Sequence, residues 1–484
     1  MKFIVKLFPE ITIKSKPVRK RFIQRLQSNL QIILRRIDER TQVRGQWDKV
    51  IVETKPQDEA QLAATIEALK CTPGIAYFIE VTEHPLGSFD EVFELTKDVY
   101  ADKIAGKTFV VRVKRAGIHE FKSGDLERYV GGGLLQHTDA AGVDLHNPDV
   151  KVQLEVRDQK LYIVEKRYDG LGGFPMGSQD GVLSLMSGGF DSTVSSYMTM
   201  RRGCKTHFCF FNLGGAAHET GVKQVSYYLW QRYSSSHKVK FITVPFEPVV
   251  AEILTKVHHS QMGVVLKRMM LRAATQAAER MGISALVTGE SIAQVSSQTL
   301  PNLAVIDAVT NTLVLRPLIT SDKQDIIDMS RKIGTHDFAK SMPEYCGVIS
   351  DRPTSHAKMA RVLKEEAEFD LAVLDQAVAD AQMIRIDRIA EEAQSQVEVE
   401  TQQQVTSDEV IIDIRHPDEE DASPLLISGI EVIKIPFYSL ATKFSELDPQ
   451  REYLLYCPKG VMSQLHALYL KDQGFQNIKI YQPE

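Results

Sequence analysis

Long apolar runs are missing from this sequence. No stretch of its 484 residues approaches the roughly 20 apolar residues that span a bilayer. Residues Met1 to Glu10 alternate apolar and charged side chains where an export signal needs an unbroken apolar segment. The expectation is a soluble, cytoplasmic protein with no membrane partner. Cysteine is scarce as well. The five, Cys71, Cys204, Cys209, Cys346 and Cys457, are odd in number and scattered, which argues against a structural disulfide framework. Any thiol chemistry is therefore catalytic or incidental. A strong net charge is also absent, at -5, but the balance is uneven along the chain. Met1 to Lys49 carries thirteen Lys/Arg against four Asp/Glu, whereas Gln404 to Glu484 carries seven against thirteen. The first region suits a polyanion and the last does not.

The length exceeds one ordinary core and predicts three or more domains. Residues 3 to 8 alternate like a strand, and Phe22, Leu26, Leu30, Ile33 and Ile37 follow at helical spacing. Strands near Val43 and at Val50 to Glu53, a helix from Asp58 to Leu69 and a strand from Ala76 to Val81 complete a βαββαβ order, the ferredoxin-like arrangement. A second α/β block spans about Phe89 to Asp169, with a strand Thr108 to Lys114, a helix around Asp125 to Thr138 and a strand pair near Val150 to Val164. Gly131-Gly132-Gly133 is expected to interrupt that helix, by a bend or close packing. With Arg112, Lys114, Arg115, Lys122 and Arg128 near it, close approach to phosphates is a second meaning. The glycine-rich Gly170 to Gly177 marks a boundary. Beyond it, apolar strands at Gly181 to Met186, His207 to Leu213, Val239 to Val244, Ala285 to Thr288 and Leu313 to Leu315 alternate with helices, which predicts a parallel sheet covered on both faces. Ser355 to Ile389 reads as acidic and helical, Gln394 to Ser407 as a Gln-rich linker, and Glu409 onward as a short α/β unit.

After the strand ending at Met186 comes Ser187-Gly188-Gly189-Phe190-Asp191-Ser192, leading into a helix from Thr193 to Met200. A strand, a glycine turn and a helix N-terminus aim backbone amides and the positive helix end at an anion. No Gly-Lys-Ser/Thr follows, so this is not a Walker A loop, nor is it GxGxxG. The motif resembles the PP-loop of the ATP pyrophosphatase family, which cleaves ATP to AMP and pyrophosphate to activate an oxygen as an adenylate. The resemblance implies that Leu185, Met186, Ser187, Gly188, Gly189, Asp191 and Ser192 bind the nucleotide, with Asp191 helping to hold magnesium and pyrophosphate. By the same resemblance, Lys267, Thr288-Gly289-Glu290 and Gln298 would fall where the sheet's carboxyl edge meets the adenosine. Lys323 opens a helix and is placed to neutralise charge on the leaving phosphate.

Near the C-terminus the strand Tyr453 to Tyr456 ends in Cys457-Pro458-Lys459-Gly460-Val461-Met462-Ser463, followed by a helix from Gln464 to Asp472. A thiol at a helix N-terminus is stabilised as thiolate or persulfide. Rhodaneses and cysteine phosphatases both use such a loop. The phosphatases need an arginine six positions after the cysteine, and Ser463 stands there. The upstream Val410 to Arg415 strand with Glu419 also resembles a rhodanese domain. Pro458 removes one amide from the anion loop. Cys346, in Met342-Pro343-Glu344-Tyr345-Cys346-Gly347, reads in isolation as a loop cysteine, since His336 and His356 are too few to complete a zinc site. Cys71, beside a Thr-Pro-Gly turn, and the pair Cys204 and Cys209 read as structural.

Taken in order, these blocks resemble the tRNA 4-thiouridine synthetase family (ThiI) in its long form, over essentially the whole chain. Glu127 to Gly133 and Gly172 to Gly177 match its THUMP domain and linker, Ser187 to Ser192 its PP-loop, Pro343 to Cys346 its second cysteine, and Cys457 with Gly460 to Ser463 its persulfide loop. The fold implied is α/β multidomain: a ferredoxin-like domain over 1–60 with flanking elements to about 85, a THUMP RNA-binding domain over 61–168, a Rossmann-like PP-loop domain with a parallel sheet over 175–393, and a rhodanese-like domain over 404–484. The activity implied is conversion of the uridine at position eight of tRNA to 4-thiouridine, with ATP and Mg2+ as cofactors and no other metal. Cys457 would carry the persulfide, Cys346 would form a disulfide with it, and Asp191 and Lys323 would serve the adenylation. The RNA would lie against Arg112, Lys114, Arg115, Lys122 and Arg128. The partners implied are tRNA, a cysteine desulfurase, the sulfur-carrier protein of thiamine thiazole synthesis, and a second copy in a homodimer. Two alternatives stay open here: a PP-loop enzyme acting on a non-tRNA substrate, and a non-catalytic RNA-binding sulfur carrier.

Overall fold

Alternation in β1 (Lys2–Leu7) turns Phe3, Val5 and Leu7 toward one core and leaves Lys2, Ile4 and Lys6 on the other side. The computed structural model to which this strand belongs describes residues 1–213, 215–342, 352–389, 399–406, 409–415, 417–458 and 460–483. It divides into two units, Met1–Phe174 and Pro175–Glu484.

In the first unit, β1 is joined by β2 (Gln42–Gly45), β3 (Lys49–Glu53), β4 (Ile75–Pro85), β5 (Thr108–Ala116), β6 (Gly142–Val143), β7 (Val150–Arg157) and β8 (Lys160–Gly172). All eight form one sheet in the order β2-β3-β1-β4-β8-β7-β5-β6. The two α/β blocks read from the sequence thus share a sheet, fused where β4 and β8 pair from Ile75↔Gly172 to Pro85↔Lys160. Helices Lys16–Leu34 and Glu59–Lys70 cover the first half of one face, and Phe89–Ile104 and Ser123–His137 the second half. Asp58 caps one of them through Gln61 N at 2.8 Å, and Ser88 with Glu91 forms a capping box on another.

The triple glycine does not interrupt its helix, which runs unbroken from Ser123 to His137. The reason is packing: a Cβ on Gly133 would lie 2.6 Å from the Phe93 ring, so a side chain there would push the two helices apart.

In the second unit, β9 (Gly181–Leu185), β10 (Lys205–Asn212), β11 (Lys240–Pro245), β12 (Ala285–Val287), β13 (Leu313–Leu315) and β14 (Gln382–Arg385) form a sheet ordered β13-β12-β9-β10-β11-β14. Five strands are parallel, and β14 pairs antiparallel with β11. The region read as helical from Ser355 to Ile389 therefore holds two helices, Met359–Glu366 and Leu371–Ala379, and then a strand. Acidic composition concealed that edge strand, whose pattern is too short to show a period. The chain runs outward in one direction from β9 through β11 and in the other from β12 to β13, so the topological switch point lies between β9 and β12. A crevice at the carboxyl ends of those two strands is where such a sheet takes its ligand.

A third sheet, all parallel, comprises β15 (Thr401–Gln402), β16 (Glu409–Asp413), β17 (Glu431–Lys434), β18 (Glu452–Tyr456) and β19 (Ile478–Tyr481), in the order β15-β19-β18-β16-β17. The stretch read as a Gln-rich linker thus ends in an edge strand, because Thr401 and Gln402 pair with Ile480 and Tyr481. The core of this layer continues into Val225 and Tyr228 of helix Gly215–Tyr233 and Phe338 of helix His336–Ser341. The ring centroids of Phe338 and Phe437 stand 5.1 Å apart.

Candidate active site

β9 ends at Leu185, and Met186 N still bonds Cys209 O at 2.8 Å, so the chain leaves the sheet only at Ser187. Gly188 takes φ +84, which favours glycine, and a Cβ there would also press on Met342 and Val222 at about 3.1–3.2 Å. Helix Phe190–Arg201 starts at Gly189 with no side-chain cap, which leaves its first amides for an anion. Ser192 Oγ ties the turn together, within 3.2 Å of both Ser187 Oγ and Gly189 O, and accepts from Ser187 N at 3.3 Å. His218 Nε2 lies 3.1 Å from Ser187 O. The Asp191 carboxylate receives Lys323 Nζ at 2.9 and 3.1 Å and Gln294 Nε2 at 2.8 Å.

Across the switch point, Gly289 lies against this helix start. A Cβ on it would lie 2.6 Å from the Asp191 carbonyl carbon and 2.8 Å from Ser192 N. Beside it, Glu290 is buried and accepts from Lys267 Nζ at 2.7 Å, Arg316 Nε at 2.8 Å and Thr288 Oγ1 at 3.1 Å. Burial works to raise its carboxyl, but the two cations outweigh it and hold the group below the usual carboxylate range. Arg316 is held in turn by both oxygens of Asp307. Gln298 orders the loop after Gly289 by accepting from Ser291 N and, through its carbonyl, from Ala293 N. Ala293 adopts φ +60, a strained conformation for alanine, immediately before the Gln294 that reaches Asp191. Asp191, Lys323, Lys267, Gly289 and Gln298 are thereby drawn into one crevice. Gln294, Arg316 and His218 belong to it too and were not expected. They sit in no motif, and only the strand order brings them in.

The Cys457 loop repeats the design at the end of β18. Gly460 takes φ +69 at the start of helix Val461–Asp472, and Ser463 N donates to Cys457 Sγ at 3.4 Å. Cys457 is buried, 8% exposed, in the apolar core shared with Val225, Tyr228 and Phe338. Arg415, which follows β16, is taken up by Asp413. Cys346, with Pro343 to Gly347, lies outside the described residues. Burial raises the Cys204 thiol and pushes Cys209 up to about 12, so both are packing residues. Cys71 is buried and bonds Glu67. Among the described residues no group of three or more His, Cys, Asp or Glu is arranged to hold a metal.

The five basic residues of the N-terminal unit divide. Arg112 and Lys114 alternate with the core residues Phe109, Val111 and Val113 and so face away from the helices. Arg115, on the helix side, contacts His119, while Lys122 starts helix Ser123–His137 and Arg128 pairs with Asp125 at 2.7 Å.

Models of four families match in chain order: the ThiI ferredoxin-like domain over residues 2–78, the THUMP domain over 87–164, the thiamine biosynthesis protein (ThiI) over 177–371 and the rhodanese-like domain over 395–482. A tRNA sulfurtransferase of Shewanella loihica is 57% identical over 484 residues, covering all of both chains. The chain belongs to the tRNA sulfurtransferase family. A second family member, from Shewanella sp. strain W3-18-1, is 59% identical over 485 residues and the full length of both. The chain is also similar to a solved 4-thiouridine synthetase–RNA complex with bound ATP, at a TM-score of 0.70 and 25% identity over 79% of this chain and 99% of that one. No helix of the described residues is long and apolar enough to cross a membrane.

Proposed function

We propose that this protein is an ATP-dependent sulfurtransferase that converts the uridine at position eight of tRNA to 4-thiouridine in the cytoplasm. One observation carries the reading: a phosphate loop and a thiol loop, each at a helix N-terminus, are built on adjoining sheets of a single unit. In the first, O4 of uridine attacks the α-phosphorus of ATP and pyrophosphate leaves. Lys323, Lys267 and the amides of the loop would carry the charge that develops on the departing phosphates. Magnesium needs one or two carboxylates plus phosphate oxygens, and Asp191 at the loop fits that requirement. When bound it would neutralise charge on those phosphates.

In the second, a cysteine desulfurase would load sulfur on Cys457. The terminal sulfur replaces AMP at C4 by one of two routes: the persulfide attacks C4 and Cys346 then attacks Cys457 Sγ, breaking the S–S bond and releasing the thiouridine, or Cys346 attacks Cys457 Sγ first and frees sulfide, which attacks C4. Either route leaves a Cys346–Cys457 disulfide, and a cellular reductant returns both thiols. Met342, which packs on Gly188, is supportive here. Cys346 follows it by only four residues, a tether of at most roughly 14 Å. The desulfurase, the thiamine sulfur carrier and a homodimeric state rest on the family likeness alone. The test is AMP release and 4-thiouridine formation with and without tRNA and a persulfide source. AMP release that ignores tRNA would point to another substrate, and tRNA binding without AMP release to a sulfur carrier. Cys346→Ser should abolish the Cys457-linked disulfide species seen when reductant is withheld.

A further inference from the structure

The face of the eight-stranded sheet turned away from its helices holds an unbalanced set of charges. Register puts Lys6 opposite Tyr77 on β4 and opposite Lys49 on β3, while Glu155 lies opposite Tyr162 of β8, itself opposite Glu83 of β4. Lys6 and Glu155 are thus three strands and six residues out of step. In a flat sheet their Cα atoms would be more than about 20 Å apart, beyond the reach of both side chains. Lys6 Nζ nevertheless lies 3.6 Å from Glu155 Oε1. The sheet is therefore strongly curled, and this face is the inside of the curl.

Inside it, Glu155 is shared by Lys6 and by Arg157 Nη2 at 2.9 Å, with Lys114 its neighbour on β5. Lys49 has no such partner. It is 3% exposed, its Nζ stands 6.0 Å from the Tyr162 ring, and among the described residues no carboxylate or other acceptor bonds it. Burial, with Arg157 and Lys6 adding to it, pushes its ammonium down to about 8, and burial likewise lowers Lys6 against the pull of Glu155. Besides Glu155, Asp48 is an acidic group that pulls on both lysines. Four cations meet two carboxylates, and the least exposed of the four, Lys49, has no ion-pair partner among the described residues. An arrangement of that kind is costly until an anion completes it.

We propose that the inside of this curl seats a phosphodiester group of the RNA substrate, held by Lys49, Lys6, Arg157 and Lys114. The inference rests on the reading that the chain binds tRNA, and deepens it by naming the seat. Lys49→Met keeps the length of the side chain and removes the charge. In full-length protein, tRNA binding followed across salt concentrations should weaken about tenfold at low salt, and the log-log salt slope should become shallower by about one. A folded Lys49→Met protein with the parent's affinity and slope overturns the proposal and leaves Lys49 a buried amine beside Tyr162. Should Lys49→Met not fold, Arg157→Gln gives the same readout, and an unchanged slope there overturns it equally. A parent protein that binds no tRNA would defeat the underlying reading as well.

Discussion

The loops at Ser187 and at Cys457 share a backbone plan, strand then glycine at positive φ then uncapped helix, and differ in what surrounds it. Around the first, Lys323, Lys267, Arg316, Asp191 and Glu290 form charged pairs within hydrogen-bonding distance of one another. Around the second, the core neighbours among the described residues are Val225, Tyr228, Phe338 and Phe437, and the Arg415 guanidinium is already taken by Asp413. The helix end alone attracts an anion; the surroundings decide which. A polyphosphate needs cations and a carboxylate for its metal, while a single sulfur anion needs one or two amides and exclusion of water.

The comparison breaks most sharply by removing one loop at a time. Asp191→Asn should lower tRNA-dependent AMP release by at least about a hundredfold, on the scale of one lost electrostatic group, and leave sulfur loading on Cys457 intact. Cys457→Ser should do the reverse, with AMP still released and no 4-thiouridine formed. If either variant abolished both partial reactions while folding normally, the two loops would not be separable devices. A smaller effect is expected from Gly289→Ala. Its methyl would sit 2.6–2.8 Å from three backbone atoms of Asp191 and Ser192, so the helix start must shift. AMP release should fall about tenfold or more, since a displacement of that order misplaces the amides. Sulfur loading should not change.

How much of this was legible in the residues follows the same division. Short motifs with fixed backbone demands, the Ser187–Ser192 turn and the Cys457 loop, could be read directly, because glycine and helix-start geometry are local. So could the βαββαβ order, from strict alternation and helical spacing. Sheet order could not. Nothing in the sequence around Gln294 or Arg316 says that β12 sits beside β9, and only that adjacency turns them toward Asp191 and Glu290. The helix through Gly131–Gly133 misled for a related reason. Glycine's helix cost of about 1 kcal/mol per residue is local and visible, whereas the Phe93 ring that needs the space is supplied by another helix. Lys49 is the extreme case, an ordinary lysine in an ordinary strand until the curl encloses it.

The weakest effect probes the apolar side of the comparison. His466 lies on the helix behind the Cys457 loop, which packs on helix Gly215–Tyr233, and among the described residues neither ring nitrogen has a hydrogen-bond partner. Burial alone pushes its imidazole down to about 3, from about 6.5 when unfolded. Between those values the unfolded chain binds the extra proton and the folded one does not, so stability is lost as pH falls below 6.5, by up to about 1.4 kcal/mol per unit. Unfolding free energies from urea titrations at pH 7.5 and 5.5 should therefore differ by about 1.4 kcal/mol more in the parent than in His466→Leu, which cannot take up the proton. An equal pH dependence in the two proteins would mean that the imidazole finds a polar partner after all. The sulfur loop would then be less dry than the comparison requires, and the amide contact from Ser463 would need help from solvent to hold the anion.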